Sequence, residues 1–235
     1  MDKEADWLLN DKYEGIKSPE FFSDLTKLKN GEPLAYIIGW IPFLHTKIFL
    51  DSKPLIPRPE TEYWVSSAID EIKTTGIAKP KILDLCAGSG CIGVAVLKAL
   101  PSSAVDFAEI DGVHHPTIQK NVSENNIAPD RVRIMGGDLF ENISESYDAI
   151  LTNPPYIDPE LNRVDRSVVL HEPERALYGG ESGMKFITRI ISEASKYLKP
   201  GGVLYIEHEP EQTELIKSLA PNSEQFEDQF KLVRF

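Results

Sequence analysis

The spacing of apolar residues changes character near residue 80. Before that point Trp7, Leu8 and Leu9 are followed, after Ser18-Pro19, by Phe21, Phe22, Leu25 and Leu28. That is helical spacing behind a helix-start signal. Gly31-Glu32-Pro33 breaks it, and an apolar, aromatic stretch follows over 34–43. Lys47-Ile48-Phe49-Leu50 and Pro54-Leu55-Ile56 flank Asp51-Ser52-Lys53, which predicts a hairpin. Thr61 is placed to cap a helix through Tyr63, Val65, Ala68, Ile69 and Ile72, ending near Gly76.

Beyond residue 80 short apolar runs alternate with helical ones. Strands are predicted over 81–85, 105–109, 131–135, 147–152 and 203–207, and helices over 91–100, 116–125, 185–197 and 212–220. This alternation predicts an α/β fold with an open, mostly parallel sheet flanked by helices. The tail, 226–235, is expected to supply one or two edge strands. Residues 154–182 form a long connection, and a connection of that length marks a functional loop or a lid. The chain thus divides into a short N-terminal helical cap over 1–33, a β-hairpin linker over 34–60 and the main domain over 61–235.

Composition narrows the functional classes. A chain of 235 residues, 41% hydrophobic and 26% charged, has ample material for one large core. Its first residues are charged, and no segment approaches the roughly 20 apolar residues that span a bilayer, so no membrane association and a cytoplasmic location are expected. The net charge of −12 disfavours nucleic acid as a partner, because binding through many phosphates needs clustered Lys and Arg. Cys86 and Cys91 have neither redox-pair nor zinc spacing, and the five histidines have no metal-ligand spacing, so no metal is expected.

Candidate chemistry collects at the ends of the predicted strands. After the first lies Asp84-Leu85-Cys86-Ala87-Gly88-Ser89-Gly90, opening a helix. Glycines at such a turn allow positive φ and close approach of a ligand to the backbone. A dinucleotide fingerprint would have a third glycine where Cys86 stands, and an acid at the loop entrance is a poor companion for a pyrophosphate. A cationic cofactor bearing an amino acid suits Asp84 better, so Asp84, Cys86, Ala87, Gly88 and Gly90 favour S-adenosylmethionine over a nicotinamide dinucleotide. Glu109 ends the second strand, where a carboxylate can take both ribose hydroxyls, and Asp111 competes for that role. Asp138, beside Leu139, follows the third strand and can accept from an adenine amino group. Each acid alone is more often a solvated surface charge, but three acids after three successive strands on one sheet edge form a pattern.

The fourth strand delivers Asn153-Pro154-Pro155-Tyr156. Two prolines remove two donors and hold the chain extended, which leaves carbonyls free to accept. Asn153 adds a carboxamide and Tyr156 a flat ring with a polar tip, so the four residues can grip a planar amide or amino group. They read equally as a strand stopped by a Pro-Pro turn.

These motifs, together with Gly31-Glu32-Pro33-Leu34-Ala35-Tyr36-Ile37-Ile38-Gly39, Leu55-Ile56-Pro57-Arg58-Pro59-Glu60-Thr61-Glu62, Glu172-Pro173-Glu174-Arg175-Ala176-Leu177 and Gly179-Gly180, resemble the release factor glutamine methyltransferase family over most of the chain. The resemblance implies a class I S-adenosylmethionine-dependent methyltransferase fold, Rossmann-like, with S-adenosylmethionine as methyl donor. The implied acceptor is the glutamine of a Gly-Gly-Gln sequence in a peptide chain release factor. Relative to the family, the N-terminal helical region is shortened and the C-terminal strands trimmed. On this reading the Asn153 side-chain oxygen, which also borders the cofactor, and the Pro154 carbonyl orient the amide. Pro155 and Tyr156 pack against it, and Arg58 and Glu60 either shape the glutamine pocket or pair within a Pro-flanked turn. The Asn-Pro-Pro-Tyr sequence is shared with adenine-amino methyltransferases, so DNA or RNA methylation is the nearest alternative, beside a ribosomal-protein glutamine methyltransferase and a non-catalytic S-adenosylmethionine-binding subunit.

Overall fold

In the computed structural model, which describes residues 3–161, 163–221 and 223, the chain begins with α1 (Lys3–Trp7), which runs into a π-helical turn, Leu8–Lys12. Helices α2 (Pro19–Lys29) and α3 (Leu34–Ile38) follow. Ser18 starts α2 as expected, its hydroxyl accepting from the Phe21 N–H at 3.3 Å. Leu8, Leu9, Phe21 and Ile37 form a small apolar cluster of their own. Asp24 ties it together by accepting from Lys12, Lys27 and Tyr13. Burial opposes charge on Asp24, yet those three bonds prevail and hold its carboxyl at about 2.

The hairpin lies earlier than predicted. Its strands are β1 (Trp40–Phe43) and β2 (Thr46–Phe49), joined through Leu44 and His45, with Leu44 at φ 48°. Residues 54–56 form no strand: the Pro54 carbonyl accepts from the Tyr36 hydroxyl at 2.6 Å and the Ile56 N–H donates to Glu172 at 2.9 Å. Proline has no N–H for a ladder, and side chains hold this segment instead. Helix α4 (Pro59–Thr74) likewise starts at a proline, and Thr61, expected as its cap, sits inside its first turn.

The main sheet follows the predicted alternation: β3 (Lys81–Leu85), α5 (Cys91–Ala99), β4 (Ala104–Ala108), α6 (His115–Glu124), β5 (Val132–Met135) and β6 (Tyr147–Thr152). Then come the short helices α7 (Arg166–His171) and α8 (Glu174–Leu177), α9 (Lys185–Ala194), β7 (Leu198–Ile206) and α10 (Thr213–Leu219). All five strands are parallel, in the order β5-β4-β3-β6-β7. Both faces are buried, and the period of two in each strand assigns alternate residues to opposite layers. Val203 and Tyr205 join the core with α4, α5 and α6, whereas Leu204 and Ile206 join the core with α9 and α10. The expected edge strands over 226–235 lie outside the described residues.

Asn121 on α6 and Asn125, the residue that caps its C-terminal end, fasten the hairpin to this body. Asn121 accepts from the Phe49 N–H at 2.7 Å and donates to the carbonyls of Phe49 and Ser89 at 3.0 and 2.9 Å. Asn125 makes the same paired contact with Lys47, at 3.0 and 2.8 Å. The helical step of four thus matches the strand step of two, and side-chain amides complete the free edge of β2. Asn121 is fully buried, so Asn121→Ala strands three backbone groups. The expected result is a loss of about 2–4 kcal/mol in urea unfolding, from groups left unsatisfied.

Candidate active site

The carboxyl ends of the parallel strands converge on two adjoining cavities. The first, of about 300 Å³, is lined by Cys86 and Gly88 of the glycine loop, by Glu109, Asp111, Asp138 and Leu139, and by Asn153 and Pro155. The second, of about 180 Å³, is lined by Arg58, Pro154, Tyr156 and Ile157 among others. Asn153, Leu55 and Ala176 line both, so Asn153 stands at their junction. Strand ends in a parallel sheet are the usual place for such a crevice, because the following loops diverge there.

The glycine loop keeps its turn without the third glycine, since Cys86 itself takes φ 61°. Ala87 and Gly90 are buried behind the cavity surface, the Ala87 N–H donating to Ala108 at 3.1 Å and the Gly90 N–H to Ala87 at 2.7 Å. Asp84 is fully buried. One of its oxygens accepts from the Gly93 N–H at 2.8 Å at the start of α5, and the other has no partner. Burial drives its carboxyl well above the ordinary range, the Gly93 bond opposes this and nearby Glu109 adds to it. Burial also pushes both thiols, Cys86 and Cys91, far up, which keeps them neutral.

Glu109 holds the loop as well as facing the cavity: its two oxygens accept from Gly88 and Asp111 N–H groups, each at 2.8 Å. Asp111 caps the 3-10 turn that follows, accepting from Val113 at 3.2 Å. Asp138 is paired with Arg189 of α9 at 2.9 and 3.1 Å, so a ligand amino group would share it with that guanidinium. Leu139 beside it is buried at φ 53°.

At the junction, the Asn153 amide donates to the Thr61 hydroxyl at 3.3 Å, and the Pro154 carbonyl accepts no hydrogen bond from the described residues. The Tyr156 hydroxyl donates to Glu207 at 2.9 Å, and Tyr156 itself borders the second cavity. Glu207 is 1% exposed and also accepts from Thr61 at 2.8 Å and Trp64 at 2.7 Å. Burial raises its carboxyl, against the pull of those three bonds. Burial and then Glu207 raise the Tyr156 phenol far beyond its ordinary value. Arg58 pairs at 2.6 Å with Glu172 from the long connection, whereas Glu60 is exposed on the first turn of α4 and lines neither cavity. The Arg58 ion pair is therefore made across the fold and not inside the Pro-flanked turn.

The long connection braces the segment that follows β6. Ile157 and Tyr178 form a parallel bridge, and Gln212 donates to the carbonyls of Tyr156 and Ser182 at 2.7 and 3.1 Å. The backbones meet at glycines: a Cβ on Gly179 would lie 2.6 Å from the Pro155 oxygen, and one on Gly183 only 1.9 Å from that of Tyr156. Glu207 and Gln212 carry no role in the sequence reading, and Glu172 enters it only within the motif Glu172-Pro173-Glu174-Arg175-Ala176-Leu177. Glu207 had a signal, an acid closing an apolar strand as Glu109 does, whereas Gln212 had none.

Comparison with known proteins places the chain among methyltransferases. The methyltransferase small domain family model matches residues 69–171. The chain is 37% identical over 196 residues to the release factor glutamine methyltransferase of Francisella tularensis, covering 83% of this chain and 68% of that protein. It is 36% identical over 205 residues to the protein of the same name from Rhodopirellula baltica, covering 85% and 69%. A methyltransferase from Pyrococcus furiosus has the same fold, with a TM-score of 0.59 at 17% identity over 91% of this chain and 98% of that one.

The tight glycine contacts make a structural prediction. Gly183→Ala forces the Tyr156 carbonyl or the residue itself to move and is expected to cost about 1–3 kcal/mol of unfolding free energy, as overpacking does. Gly112→Ala, with nothing within 4 Å of its Cβ, should stay within about 0.5 kcal/mol of the parent in the same urea titration.

Proposed function

The chain belongs to the release factor glutamine methyltransferase family, and we propose that it methylates the side-chain amide nitrogen of the glutamine in a Gly-Gly-Gln sequence of a peptide chain release factor, using S-adenosylmethionine. The observation that carries this reading is the meeting of the two cavities at Asn153, beside the uncommitted Pro154 carbonyl.

The residues of the first cavity suit a cationic nucleoside. Leu55, Leu85 and Leu139 offer apolar surface, and Glu109 and Asp111 offer oxygens for ribose hydroxyls. Asp84, expected at the cofactor, lines neither cavity and keeps one buried oxygen unmatched beneath the loop. When bound, S-adenosylmethionine supplies an electrophilic methyl group on sulfonium. The chain's own task is placement, because an amide nitrogen is a weak nucleophile whose lone pair is delocalised into its carbonyl. The Asn153 side-chain oxygen and the Pro154 carbonyl each accept one amide hydrogen and turn the nitrogen towards the junction. Tyr156, neutral and held by Glu207, closes the second cavity around the amide. The same oxygens stabilise positive charge as it develops on nitrogen, and the proton leaves to water afterwards. Arg58, fixed by Glu172, forms part of the wall of that cavity.

Labelled S-adenosylmethionine incubated with release factor, its Gln→Ala variant, a ribosomal protein and nucleic acid tests the reading. Label is expected on the parent release factor alone, and label on the Gln→Ala variant or only on nucleic acid overturns it. Asn153→Ala should lower kcat about a hundredfold, the scale of a misplaced reacting group, while calorimetric affinity for the cofactor changes little.

A further inference from the structure

A carboxamide has two ends of nearly equal size and opposite chemistry. Presented by its oxygen, Asn153 accepts an amide hydrogen; turned by half a rotation, it presents NH₂ to NH₂ and repels the same substrate. Sterics do not separate the two, so some neighbouring group has to.

The proton accounting around Thr61 does so. Its hydroxyl carries one proton, and against an ionised Glu207 that proton goes to the carboxylate at 2.8 Å. The same Glu207 oxygen accepts from the Trp64 indole at 2.7 Å, and indole nitrogen can only donate. The other Glu207 oxygen accepts from Tyr156 at 2.9 Å. With its proton spent, Thr61 has only lone pairs to offer Asn153, 3.3 Å away. The NH₂ end of Asn153 must therefore face Thr61, and a flipped amide would set two lone-pair oxygens against each other. Thr61 and Glu207 are 2% and 1% exposed, so no water reaches Thr61 from the Glu207 side, and only the half-buried Asn153 faces the cavities.

We propose that Thr61, with its proton committed to Glu207, is a positioning residue that fixes the orientation of the Asn153 carboxamide and so presents its oxygen to the acceptor nitrogen. The proposal rests on the acceptor role given to Asn153 above. It also accounts for asparagine over aspartate at 153: a carboxylate there would face the Thr61 lone pairs with Glu207 directly behind.

The test compares Thr61→Val, which keeps the shape and removes the hydroxyl, with Thr61→Ser, which keeps the hydroxyl, and adds Asn153→Asp. Thr61→Val should lower kcat about tenfold, the scale of one lost orienting hydrogen bond, with KM for release factor and cofactor affinity within about twofold. Thr61→Ser should recover most of that loss, and Asn153→Asp should be no faster than Asn153→Ala. Parent kcat in Thr61→Val, equal losses in the serine and valine variants, or parent kcat in Asn153→Asp would each overturn the proposal. A readout free of turnover separates this from the choice of substrate. The Asn153 side-chain NH₂ resonances, assigned by their loss in Asn153→Asp, should exchange with water more slowly in the parent and Thr61→Ser than in Thr61→Val. Equal exchange in all three refutes the orientation, whereas slow exchange with no methyl transfer to release factor faults only the functional reading.

Discussion

One buried carboxylate organises the second cavity and the segment that follows β6. Glu207 closes β7 at 1% exposure and gathers donors from Thr61 and Trp64 on α4 and from Tyr156 beyond β6. Taking a charge out of water is costly, and three donors on two oxygens offset only part of that cost, since burial still holds the carboxyl above its ordinary range. The consequence is geometric: α4 and the Asn153-Pro154-Pro155-Tyr156 segment are drawn to one point, which leaves the Asn153 amide and the Pro154 carbonyl at the meeting of two cavities.

The first cavity uses its acids differently. Glu109 shapes the loop through the Gly88 and Asp111 N–H groups as well as bordering the cavity, and Asp84 sits wholly buried with one matched oxygen. Burial holds the Asp84 carboxyl well above its ordinary range beneath the loop, and the loop backbone at positive φ leaves room for a ligand against it. Both cavities are backed by close packing: parallel strands below the glycine loop, and Gly179, Gly183 and Gln212 against the Asn153-Pro154-Pro155-Tyr156 turn. Placement chemistry requires such backing, because a shift of an ångström at the reacting atoms costs as much as losing a residue.

Much of the fold was readable because both faces of the sheet are buried, which writes each strand as a short apolar run between turn residues. The five strands and the four helices packed with them appear where the pattern put them, with ends shifted by a few residues. The hairpin was misplaced because its turn, Leu44-His45, carries no glycine, asparagine or proline, and Leu44 takes positive φ without any sequence sign of it. The nearby Asp51-Ser52-Lys53 looked more like a turn, but Pro54 could not continue a ladder. Thr61 misled for a related reason: a threonine near a helix start usually serves the backbone, and here a partner 146 residues away takes its proton.

Taken alone, the chain's order of residues determined the parallel α/β architecture, the glycine loop, the acids at three strand ends and the Asn-Pro-Pro-Tyr turn, since each depends on local period or on residues within a few positions. Only the tertiary structure decided that Arg58 pairs with Glu172 and not Glu60, that Asp138 is shared with Arg189, and that Glu207 holds Thr61, Trp64 and Tyr156. Those are contacts between distant segments, and their partners are selected by the packing of α4 and the long connection over the sheet, a choice that no local pattern records.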